Sequence, residues 1–144
     1  MATKISKYFA LEEFLYSDTA NKKGISNIPT EEHLNNIKKL ANTILDPIRE
    51  KLGKPIIINS GYRSKQLNEA VNGSKTSQHC KGQAADIKCK GSKAELFRLI
   101  ESMIRNKEIT VGQLIWEYGT KEEPQWVHIS MPYTKVNNIL YIFS

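Results

Sequence analysis

Cysteine is scarce in this chain, with two residues in 144, Cys80 and Cys89. Two are too few for a disulfide scaffold, so the fold has to rest on an apolar core, and both are expected as free thiols in a reducing compartment. Cys80 adjoins a candidate metal ligand, and a ligand role for it is open but not needed. Long apolar runs are also missing: no stretch approaches the roughly 20 residues that a membrane-spanning helix requires. The N-terminal segment Met1 to Lys7 lacks the apolar centre and cleavage site of a secretory leader, so nothing in the chain is expected to direct export and synthesis is placed in the cytoplasm. Repeats, low-complexity tracts and linkers are absent too. The expectation is one domain, residues 1–144, large enough to bury a core of its own.

What the chain has in excess is positive charge, a net +6 with a pI near 9.3. The lysines are scattered, as at Lys22-Lys23, Lys38-Lys39 and Lys88/Lys90, and form no continuous stripe. No RNA- or DNA-binding motif accompanies them, so nucleic acid is not an expected partner. A basic surface of this kind serves solubility or suits an anionic polymer.

Tyr8 to Leu15 reads as a short amphipathic helix and Ser17 to Pro29 as polar loop. Thr30 then caps a long helix with acidic residues in its first turn. Leu34, Ile37, Leu40, Ala41, Ile44, Leu45 and Ile48 give it one apolar face, and Gly53 stops it. The β-branched run Pro55 to Asn59 reads as a buried strand. Lys65 to Val71 reads as a short helix, Ala84 to Cys89 as a strand and Ser92 to Ile104 as a second amphipathic helix. Three strands follow: Gln113 to Tyr118, Trp126 to Met131 and Asn138 to Phe143. The pattern predicts an α+β fold, a central antiparallel sheet with helices packed on one side.

The segment Ser77 to Asp86 carries the most chemistry. His79 offers a nitrogen ligand and Asp86 an oxygen ligand, a pair that zinc accepts. Gly82 stands between them, so a loop histidine and a strand aspartate can converge. Asp86 lies in an otherwise apolar strand, where an unpaired carboxylate is costly and needs a partner. The chain holds three histidines. His33 sits among polar residues at the start of the long helix and reads as surface. His128 sits mid-strand in Trp126-Val127-His128-Ile129-Ser130; alone it would be weak, but beside the first motif it completes two histidines and a carboxylate with a coordination position left open. Arg63, after the turn Asn59-Ser60-Gly61-Tyr62, could grip a substrate carboxylate or an oxyanion, or simply cap loop carbonyls.

Ser-Gly-Tyr-Arg-Ser, Ser-x-His-x-x-Gly-x-Ala-x-Asp and Trp-Val-His-Ile-Ser resemble the D-alanyl-D-alanine carboxypeptidase family of zinc peptidases. That family includes vancomycin-resistance dipeptidases and phage L-alanyl-D-glutamate endolysins. The resemblance runs through Leu45 to Arg49 and Gln113 to Glu117, covers roughly residues 8 to 131, and is closest in look to small phage and prophage members. It implies zinc held by His79, Asp86 and His128, Arg63 on substrate or oxyanion, and Ser77 lining the site. It also implies the family's α+β fold and hydrolysis of peptidoglycan stem-peptide bonds beside D-amino acids, by a chain assumed monomeric that reaches the wall after release.

One position departs from the pattern. Many relatives place the acidic general base three residues before the last histidine, where this chain has Gln125, which cannot take a proton at neutral pH. Glu122 and Glu123 lie in a polar loop and read as solvated. Glu117 ends a strand expected to pair with the one carrying His128. If it faces Trp126, the pleat puts its carboxylate on the His128 face, and a slip of one residue puts it on the other. Glu117 is therefore the expected general base, against the competing reading of a surface carboxylate at a strand end. Loss of the base would instead leave a metal-binding cell-wall or phage-structural module without full catalysis.

Overall fold

The computed structural model describes residues 3–143. Its N-terminal part is helical. α1 (Leu11–Leu15) buries Phe14, and α2 (Asp18–Lys23) follows, capped by the Ser17 side chain and turning Ala20 inward. The segment from Ser17 to Pro29 is thus not all loop: a six-residue helix forms over a stretch with one small apolar residue and no periodicity. The long helix begins as expected under the Thr30 cap with α3 (Glu31–Leu40). It then widens into a π-helical turn, Ala41–Leu45, where the Asp46 N–H reaches back to Ala41, before continuing as α4 (Asp46–Leu52) to Gly53. Pro47 explains the interruption. Its ring removes the donor for the Thr43 carbonyl and crowds the preceding turn, and a wider turn makes room for it.

β1 (Ile56–Ser60), α5 (Lys65–Ala70), β2 (Ala84–Cys89), α6 (Lys93–Arg105), β3 (Gln113–Glu117), β4 (Trp126–Ser130) and β5 (Asn138–Ile142) complete the chain, with a 3-10 turn at Gln78–Lys81. The strands form one sheet in the order β1-β2-β4-β3-β5. The β1–β2, β2–β4 and β4–β3 pairs are antiparallel, as expected, whereas β5 lies outside β3 and runs parallel to it. The architecture is α+β with a mostly antiparallel sheet.

Alternation along the strands divides the sheet into two faces. Ala85, Ile87, Val127, Ile129, Leu114 and Trp116 enter the core under α6, where Phe97 meets Trp116 edge to face at 5.4 Å. α4 packs against α6, and Ile37, Leu40, Ile44, Leu45 and Ile48 continue the same core. The other face of β2, β4 and β3 carries Asp86, His128 and Glu117.

Candidate active site

Register builds the centre of the site. Asp86 on β2 pairs directly with His128 on β4, and Glu117 on β3 pairs with Trp126. Glu117 and His128 therefore share a face, the arrangement that the expected hairpin register required. His128 Nδ1 donates to Asp86 Oδ1 at 2.8 Å, and Glu117 Oε1 lies 3.7 Å from the same nitrogen.

His79 arrives from the 3-10 turn before β2. The Ser77 side chain accepts from the His79 N–H and starts that turn; Gly82, at φ +73°, ends it. A Cβ at Gly82 would stand 2.5 Å from the His33 carbonyl oxygen, so glycine is needed for close approach as well as for its backbone angle. The imidazole is buried, and its Nδ1–H donates to the Gly61 carbonyl at 2.7 Å. That bond makes Nδ1 the donor to the loop and points Nε2 at Asp86 Oδ1, 3.4 Å away.

Two loops meet here and are held by backbone bonds. Arg63 N–H donates to the His79 carbonyl, and Tyr62 N–H to that of Phe14. Asn27 ties the Tyr62-Arg63-Ser64 loop from outside, donating to the Leu15 and Tyr62 carbonyls and accepting from Ser64 N–H. Gly61 packs so closely that a Cβ would sit 2.7 Å from the Phe14 carbonyl oxygen. Neither the Asn27 clamp nor the Gly61 contact had a signal in the sequence, because their partners lie far along the chain.

Ligand atoms of His79, Asp86 and His128 lie within 4.8 Å of one another. Donors about 2.1 Å from a tetrahedral ion stand roughly 3.4 Å apart, so these three atoms fit a single ion with little movement. Burial pushes the Asp86 carboxyl up, but hydrogen bonds from His128 and His79 and their charges outweigh it and hold the group well below the usual carboxylate range. Asp86 is thus ready to ligate in its ionised form. Glu117 moves the other way: its partial burial, then the charge of Asp86, raise its pKa, with His128 and Arg63 opposing.

Two cavities flank this centre. One, of about 340 Å³, is lined by Arg63, Asp86, Ser60 and Tyr62 together with Asp18 and Thr19. Arg63 Nε is itself buried and has no hydrogen-bond partner among the described residues. The other, of about 590 Å³, has His128 and Ile115 in its wall and takes in Ser77.

The remaining candidates fall elsewhere. His33 stays outside the cluster, its Nδ1 3.1 Å from the Tyr62 hydroxyl. Cys80 and Cys89 are free thiols, half-buried and buried. Gln125 is exposed, and its backbone N–H closes the hairpin onto the Glu117 carbonyl. Glu122 is exposed, as read, but Glu123 is not simply solvated. Its carboxylate accepts from Ser92 Oγ and the Ala94 N–H, sealing the N-terminus of α6.

A family model described as Peptidase M15 matches residues 7–130. No curated protein matches the chain.

Proposed function

The chain belongs to the peptidase M15 family, and from that membership and its site we propose a zinc-dependent peptidase that hydrolyses peptidoglycan stem-peptide bonds beside D-amino acids. The observation that carries this reading is the convergence of His79, Asp86 and His128 on one point with Glu117 on the same face. His79, Asp86 and His128 would hold the zinc, which when bound supplies a Lewis acid for the scissile carbonyl and the attacking water. Glu117 takes the proton from that water and returns it to the leaving amine. Its raised pKa brings it toward the range in which one carboxyl can do both. Arg63, which lines the cavity shared with Asp86, holds a substrate carboxylate or the developing oxyanion. Ser77 lines the substrate cavity while setting the turn that carries His79. On this reading the chain acts as a monomer on the wall, in the manner of an endolysin.

Gln125 favours a second reading, a metal-binding wall or phage-structural module with weakened catalysis. Elemental analysis of wild type and His128→Ala, beside mass spectrometry of digested muropeptides, separates the two. Expected are one zinc per chain that is lost on substitution, and new stem-peptide fragments from wild type alone. Zinc without cleavage across a range of pH would sink the hydrolase and leave the module.

A further inference from the structure

The cavity beside His128 carries charge of one sign. Lys81 and Lys135 line it with Gln113, Thr134 and Tyr133, and no Asp or Glu is among its lining residues. The cavity on the Arg63 side is different, since Asp18 and Asp86 share it with the guanidinium. Lys81 Nζ is held over the Tyr133 ring, 4.7 Å from its centroid. A ring face steadies an ammonium without neutralising it. Neither Lys81 nor Lys135 has an ion-pair partner among the described residues. Two free ammonium groups among hydroxyl and amide donors make a surface complementary to an anion. With a proposed zinc ligand in its wall, the cavity lies where a bound substrate leaves the reacting centre.

We propose that this cavity is the subsite for a carboxylate-bearing group of the substrate, and that Lys81 and Lys135 are the residues that read its charge. The assignment rests on the hydrolase reading for its choice of substrate. A stem peptide offers the required chemistry twice, as the free carboxyl of its glutamyl residue and as its C-terminal carboxylate. An internal carboxylate in this cavity puts the cut within the peptide, and a terminal one makes the chain a carboxypeptidase.

The test uses zinc-loaded Glu117→Gln protein, so that peptides bind without turnover. Calorimetry compares one stem peptide in three forms: both carboxyls free, glutamyl carboxyl amidated, and C-terminal carboxyl amidated. Loss of one charge-assisted contact should weaken binding roughly tenfold for one amidated form and not the other. Adding Lys81→Gln and Lys135→Gln should make the free and the sensitive amidated peptide bind alike, with zinc content retained as proof of folding. Equal binding of all three peptides, or a preference that survives the double lysine substitution, would overturn the subsite. Cleavage by wild type is scored separately. A lysine-dependent preference in a protein that cuts nothing would uphold the subsite and remove the hydrolase.

Discussion

Glu117 sits half-buried at the end of β3, where the ionised form is disfavoured by lost hydration and by Asp86. Its pKa in the fold lies above the 4.5 of a free side chain, so its own contribution to the stability of the metal-free protein is fully present below that value and is lost as pH rises through the raised one. Glu117→Gln should therefore raise the Tm of metal-free protein at pH 7, with the gain vanishing near pH 4. The same substitution should cut turnover by roughly 10²- to 10⁴-fold while zinc stays bound. Unchanged turnover would take Glu117 out of the mechanism. At this scale much was legible. His79, Asp86 and His128 carry recognisable chemistry, and the two-residue pleat reduced the direction of Glu117 to a choice between two registers. What stayed hidden was support from a distance: Asn27 clamping the arginine loop, and Glu123 capping a helix that begins some thirty residues earlier. Such contacts depend on which surfaces meet, and local pattern holds no record of that.

The helices and strands show the same division. α3, α6 and β1 to β4 follow from periodicity and caps, because each buries a face that the sequence marks. α2 buries only Ala20 among its residues, too little to register as a pattern. The direction of β5 was equally unreadable, since an apolar strand looks the same run either way, and only the path of the connection from β4 decides. The break between α3 and α4 has a use of its own. Asp46, buried at the end of the π-helical turn, accepts from Ser6 Oγ, Lys7 N–H and Tyr8 N–H and so pins the N-terminal arm. Asp46→Ala strands those donors and should cost about 2–4 kcal/mol. A lower denaturant midpoint, with faster amide exchange confined to residues 5–9, is the expected result. Exchange rising uniformly instead would mean that the arm is not a separate unit.

Over the whole molecule, the net charge of +6 acts on partners too large for the cavities. Retention on isolated cell walls should fall as salt shortens the Debye length from about 10 Å at 0.1 M to about 3 Å at 1 M. A co-sedimentation series checks this, and retention indifferent to salt would assign wall binding to the site alone.

β5 gives that charge a second task. Asn138 N–H and the Ile142 carbonyl bond inward to the β3 side, so alternation turns the backbone groups of Ile139 and Tyr141 outward. No charge or proline guards Asn138 to Phe143, and Leu140, Tyr141, Ile142 and Phe143 are all exposed. Two such edges can pair into one sheet shared by two copies, and mutual repulsion between the copies opposes it. Added salt, by screening that repulsion, should therefore favour pairing of copies through the last strand.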